Sequence, residues 1–327
     1  MRLRVKAVGI VLATALLVVA CSESTSDSGG SAGASPGSGA ATEDCTDQVP
    51  DGASADITKY LQLIGTCTKV TLGDAKIAYY QFGSGKPLVM IMGYLGTMPD
   101  WTPDLLEALS GHFQVTIFDN PGIGKSDWSG GDLSIDKMAG ITAQLIEHLQ
   151  LDKPNVLGWS MGADTSLTMA INHGDKIDKV IPVSGNPGGS ENVAAAPGID
   201  DQLQDPEKFI ELLFPTNQQE TALAYGAWEE EVSQQIPSEA VSDSAYDLYT
   251  KVETAWFSGP GIWDSLPNIK NSVLLITGAD DVITPAENSE NMHGQIPNSQ
   301  LDSVPDAGHG VLFQGDGQVP AIVGFAG

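Results

Sequence analysis

Cysteine is scarce: Cys21, Cys45 and Cys67 are all that the 327 residues contain. Three thiols cannot build a cysteine-rich metal cluster or a disulfide-dense scaffold. Basic residues are scarce too, 15 against 42 acidic, for a formal net charge of −27. A field of that sign repels phosphate backbones and anionic headgroups. It excludes nucleic acid as a partner and membrane attachment through a basic patch. Also missing are a His-x-x-x-His spacing and a phosphate-binding glycine loop. Gly122-Ile123-Gly124-Lys125-Ser126 shares the ending of such a loop, but Asp119 stands where its first glycine is required. No cofactor and no metal are expected.

What is present begins with a leader. Arg2, Arg4 and Lys6 precede an uncharged, mostly apolar run from Ala7 to Ala20. That is the layout of an export signal over 1–20, and the run is shorter than the roughly 20 residues a spanning helix needs. It ends in Val18-Val19-Ala20-Cys21, which resembles the bacterial lipobox. The resemblance implies a mature chain that begins at a lipidated Cys21, outside the cytoplasm and anchored to the cell membrane by that lipid alone. Residues 22–44 read SESTSDSGGSAGASPGSGAATED. So little apolar surface cannot offset the entropy of ordering, so 21–44 is expected to be a lipidated, flexible tether. With Cys21 committed to lipid, Cys45 and Cys67 are the pair left for a disulfide between an N-terminal extension, 45–69, and the first strand.

From there the chain alternates. Short apolar runs at 76–82, 87–92, 113–118, 156–157, 180–183, 273–276 and 300–304 read as strands. Helical spacing covers about 102–110, 134–149 and 161–173. Strands buried on both sides and separated by helices predict an α/β fold: a mostly parallel, doubly wound sheet with helices on both faces. The core is expected over 70–186 and 266–327. Between them, 187–265 carries three helical stretches and three of the six tryptophans, Trp228, Trp256 and Trp263. A helical lid inserted between strands is the expectation for this segment. Its aromatics serve either as a private core or, for one or two of them, as walls of a cleft.

Gly158-Trp159-Ser160-Met161-Gly162 follows one of those strands and opens a helix. The G-x-S-x-G form in that context is a sharp strand-to-helix turn that lifts the serine hydroxyl above the sheet edge. It also places the backbone N–H of Met161 at a helix N-terminus, where it can face an incoming carbonyl. Ser160 is the candidate nucleophile, and a serine needs a base oriented by an acceptor. The glycine-flanked loop Gly93-Tyr94-Leu95-Gly96 offers a second backbone donor. Of the five histidines, His112, His148, His173 and His293 sit where surface or packing roles suffice. His309, in the turn Asp306-Ala307-Gly308-His309-Gly310 after the last strand, can reach over the sheet. Asp280 and Asp281 both follow the run 273–276, and local reasoning leaves the two carboxylates open as the acid. Asp164 and Asp119 are structural alternatives, the latter placed to hold the loop of Gly122 and Gly124.

From about residue 70 to 325 the chain resembles the α/β-hydrolase fold superfamily in its lidded, esterase-like form. Besides the serine motif, Asp119-Asn120-Pro121-Gly122-Ile123-Gly124-Lys125-Ser126, Gly278-Ala279-Asp280-Asp281-Val282-Ile283-Thr284-Pro285 and Gly308-His309-Gly310 stand in the family's order. Met92 departs from the family, which often has His before the oxyanion-loop glycine. The resemblance implies Asp281 as the acid, by its spacing from Gly278, and Tyr94 as the second oxyanion donor beside Met161. It implies a serine hydrolase that cleaves carboxylic esters of small or apolar acyl compounds through an acyl-enzyme on Ser160. The same relay serves an amidase, a peptidase or a peracid-forming acyl transfer. A non-catalytic envelope-binding protein on this scaffold would be marked by loss of a relay member, and none is lost.

Overall fold

The computed structural model describes residues 42–203, 206–236, 240–315 and 318–327. The expected leader and Cys21 lie outside the described residues, as does the tether up to residue 41. The described chain runs β1 (Thr42–Asp44), α1 (Ala55–Ile64), β2 (Cys67–Leu72), β3 (Ala75–Gly83), β4 (Lys86–Ile91) and α2 (Pro103–Ser110). It continues through β5 (Phe113–Phe118), β6 (Asp127–Trp128), α3 (Ile135–His148), β7 (Asn155–Trp159), α4 (Met161–His173) and β8 (Lys179–Val183). Four helices follow: α5 (Ile199–Leu203), α6 (Pro206–Leu213), α7 (Gln219–Gln235) and α8 (Asp243–Ser258). The chain closes with β9 (Ser272–Gly278), α9 (Ala286–Gln295), β10 (Ser299–Val304) and α10 (Gln318–Ala326).

One mixed sheet holds the strands in the order β1-β2-β3-β5-β4-β7-β8-β9-β10, with β6 beside β3. From β5 to β10 every pairing is parallel. Those involving β1, β2, β3 and β6 are antiparallel. The inner parallel strands are buried on both faces, and consecutive residues of β4 show it. Leu88 and Met90 of β4 join the core layer beneath α1, α2 and α10. Val89 and Ile91 join the opposite layer with α3, α4 and α9. Alternation between two apolar layers is why these strands read as unbroken apolar runs. Of the antiparallel strands, β1 is exposed, β2 carries polar residues among its buried ones, and β3 is mostly buried.

Register decides where that half sits. Tyr79 pairs with Phe118, the last residue of β5, so β3 from Ala75 to Ala78 runs past the sheet's carboxyl edge. Lys69 pairs with Ala78, and Thr42 with Val70, so β2 and β1 extend that overhang. Cys45 and Cys67 are joined as a disulfide at its base. Residues 45–69, expected as an extension, contain α1, whose Ile57, Tyr60 and Ile64 are fully buried in the core. Ser54 caps that helix, its hydroxyl accepting from Ile57 N at 3.1 Å.

The helices between β8 and β9 pack on loops at the carboxyl edge. Trp228 Nε1 donates to Pro99 O at 2.8 Å, Tyr249 Oη to Pro121 O at 3.0 Å, and Trp256 Nε1 to Asn186 Oδ1 at 2.9 Å. Gly310 N donates to Leu213 O at 2.9 Å. Of the insert's tryptophans, Trp228 is buried, with its ring edge-on to Tyr60 at 5.3 Å, and serves packing.

Candidate active site

Ser160 stands between β7 and α4 with φ 57° and ψ −126°, a conformation that non-glycine residues seldom adopt. Such strain persists only where the surroundings over-determine it. Here they do. Ser160 N donates to Val183 O of the neighbouring strand at 2.9 Å, and Ser160 O accepts from Ala163 N at 2.7 Å. A Cβ on Gly158 would lie 2.0 Å from Gly162 O, and one on Gly162 would lie 2.0 Å from Ile91 O. Both motif glycines are therefore demanded by close backbone approach, which presses the start of α4 against the end of β4. The serine itself is half-buried.

The glycine loop after β4 runs directly beside it. A Cβ on Gly93 would come 3.1 Å from the Ser160 Cβ. Tyr94 is thus the next residue along a loop already touching the serine, while Met161 opens the helix behind it. The first N–H groups of a helix have no intrahelical acceptor and carry the positive end of its dipole. Asn120 Nδ2 donates to Met92 O at 2.9 Å, bracing the loop from below. Tyr94 Oη shares a hydrogen bond with Thr250 Oγ1 of α8 at 3.2 Å, and burial pushes its pKa up to about 12. It stays a neutral phenol at any ordinary pH.

His309 and Asp281 meet, Nδ1 to Oδ2, at 2.9 Å, and both side chains are buried. The other oxygen of Asp281 accepts from Ile283 N at 3.0 Å and Thr284 N at 2.8 Å. The carboxylate is thus fixed by its own turn while it holds the imidazole. Asp280, the alternative acid, is exposed. The turn carrying His309 is tied to the acid's strand by Ala279 N to Val304 O at 2.9 Å and Asp280 N to Ala307 O at 2.8 Å.

The remaining carboxylates have structural work. Asp119 accepts from Met98 N and Lys125 N, each at 2.8 Å, closing the loop of Gly122 and Gly124 as expected. Asp164, buried in the first turn of α4, accepts from Asn186 N at 2.8 Å and Asn186 Nδ2 at 3.2 Å. Burial raises its pKa well above the usual carboxylate range. Asn186 in turn takes the indole N–H of Trp256, so this network reaches the insert. Sequence reasoning passed over Trp159, whose indole N–H donates to His309 O at 2.9 Å. Its only signal was its place beside the serine in the motif.

A twisted sheet with helices on both faces, a strained serine at a strand-to-helix turn and a buried acid–histidine pair define an α/β architecture with one reactive edge. Residues 86–316 match the family model for the alpha/beta hydrolase fold, and the chain belongs to that family. Its relatives include a putative carbamate hydrolase, RutD, from a Caulobacter species, 25% identical over 68% of this chain and 83% of the relative. A poly(3-hydroxyalkanoate) depolymerase from Ectopseudomonas oleovorans is 24% identical over 73% of this chain and 83% of its own length. Among solved structures, an alpha/beta hydrolase fold protein from Chitinophaga pinensis superposes with a TM-score of 0.70 at 25% identity. That match covers 79% of this chain and 96% of the other. The family is largely enzymatic, and its members support hydrolase activity here.

Proposed function

We propose that the protein is a serine hydrolase that cleaves carboxylic esters through an acyl-enzyme on Ser160. The observation that carries this reading is the buried His309–Asp281 pair on the same sheet edge as the strained serine turn. Asp281 holds the imidazole by Nδ1, which leaves Nε2 to take the Ser160 proton as Oγ attacks the ester carbon. Negative charge then gathers on the carbonyl oxygen, where the N–H groups of Met161 and Tyr94 stabilise it. His309 returns the proton to the leaving alcohol. Water, activated by the same nitrogen, attacks the acyl-enzyme, the acid departs, and Ser160 recovers its proton. The helices of 187–265 serve as a lid over this edge, and their aromatic content favours apolar acyl or alcohol groups. A carbamate or amide presents the same carbonyl to the same relay, and the putative carbamate hydrolase among the relatives supports that second reading.

A fluorophosphonate probe is expected to label the purified domain on Ser160, and Ser160→Ala to abolish both labelling and ester turnover with the fold retained. Unlabelled wild-type protein, or full turnover by the variant, overturns the reading. Rates on p-nitrophenyl esters of graded chain length, set beside matched carbamates, identify the substrate class. We also propose that the mature chain begins at a lipidated Cys21 on the outer side of the bacterial membrane; the Cys45–Cys67 disulfide supports an oxidising compartment.

A further inference from the structure

The bonds that hold His309 to Asp281 do not fix its distance from Ser160. The acid and the base lie at the ends of β9 and β10, whereas the serine ends β7, with β8 between. Productive proton transfer needs the base within hydrogen-bond reach of the hydroxyl, and misplacement by about 1 Å costs on the order of 10²-fold. Something must span from the serine's strand to the histidine's turn.

Trp159 makes that span. Its main chain is bonded directly to Ser160, whose backbone is held in one strained conformation. Its indole N–H ends on the carbonyl of His309 at 2.9 Å. The indole ring lies 5.4 Å from the imidazole, centroid to centroid, at 44°. Phe313, from the segment just after the histidine turn, packs edge-on against the indole at 5.0 Å and 90°. The side chain is 6% exposed. One rigid, packed bicycle thus has the nucleophile at one end and the base's own residue at the other.

We infer that Trp159 is a positioning residue that sets the distance between Ser160 and His309 by hydrogen-bonding the histidine's main chain. The inference rests on the serine-hydrolase reading above. It adds a fourth side chain through which the relay is assembled, one that touches no substrate. Loss of its N–H leaves the buried His309 carbonyl without that donor, so the turn relaxes toward any other donor it can find.

The test uses two replacements in the soluble domain. Trp159→Phe keeps an aromatic ring without the N–H. Benzothienylalanine at 159 keeps the whole bicyclic shape and loses only the donor, which separates the bond from packing. Both are expected to lower kcat by about tenfold to a hundredfold, with KM changed less than about twofold. In kcat/KM, which reports acylation, the loss should be several-fold greater on an alkyl ester than on the p-nitrophenyl ester of the same acid, because an alkoxide needs the His309 proton to leave and p-nitrophenolate does not. An unaltered kcat in the benzothienyl variant overturns the inference, as does a loss confined to KM or equal on the two esters. A wild-type protein that neither labels with fluorophosphonate nor turns over ester removes the serine-hydrolase reading first, and this inference with it. Normal wild-type turnover beside an indifferent Trp159→Phe removes this inference alone.

Discussion

Two adjacent aspartates show how far environment separates identical side chains. Asp281 is buried and engages His309 with one oxygen and two backbone N–H groups with the other. Asp280 is exposed, and it is its backbone, bonded to Ala307 O, that serves the turn. Asp281→Asn is therefore expected to keep the geometry yet favour the wrong imidazole tautomer, with a loss on the order of 10⁴ in kcat, the scale seen for this change in a serine protease. Asp280→Asn is expected to cost less than about tenfold, or about 1.4 kcal/mol of barrier. Steady-state kinetics on one ester reads both. The reverse ranking would reassign the acid without touching Ser160. Local sequence left the pair open because both follow the same apolar strand, and only burial, a property of the assembled turn, tells them apart.

At the scale of elements, the parallel half was legible because strands buried on two faces are mostly apolar, with Leu88 to Ile91 of β4 and Val273 to Ile276 of β9 unbroken. Of the antiparallel half only β3 was, as the run at 76–82. β1 spans Thr42–Asp44 and is exposed, β6 is only Asp127–Trp128, and β2 mixes Thr and Lys among its buried positions. The helices between β8 and β9 were legible as helices, but their contacts were not. Most telling is where α7 meets the loop after β4. Asp100 accepts from Thr97 N at 2.8 Å and sits buried close to Glu229 of α7, beside Tyr225 and Asp119. Burial pushes Asp100 up to about 7 and raises Glu229 well above the carboxylate range. Two neighbouring buried carboxyls repel when both are ionised, so the pair favours protonation. With folded-state values above unfolded ones, its contribution is complete below the unfolded value and fades as pH rises through about 7. The melting temperature is expected to fall between about pH 5 and pH 8 more steeply in wild type than in Asp100→Asn, which removes one of the two titrating carboxyls. Parallel curves for the two proteins would refute this role.

For the whole molecule, charge and attachment act together. A chain of net charge −27 is repelled by anionic membranes, so residence there depends on the proposed lipid. Intact-mass measurement of the mature protein is expected to show an N-terminal Cys21 carrying diacylglycerol. Cys21→Ala is expected to leave the protein unprocessed or in the soluble fraction. An unmodified cysteine at the mature N-terminus would refute the anchor. The acidity was legible from composition alone, since it does not depend on how the chain packs.

The overhang of β1 and β2 bears on how such an anchored protein meets its substrate. Thr42 enters the fold beyond the carboxyl edge of β5, on the side of the sheet where Ser160, Asp281 and His309 stand. The disulfide of Cys45 and the ion pair of Asp47 with Lys125 pin the chain just after that entry. On the anchoring proposed here, the tether joins the fold on the same side of the sheet as the serine, which lets that edge approach the surface from which the protein is suspended. Molecules held in that surface layer then reach the serine at high local concentration, while solutes from the bulk must enter the gap beneath. Residence would select substrates ahead of any pocket, and cutting the tether would change which compounds are consumed without altering a single rate constant.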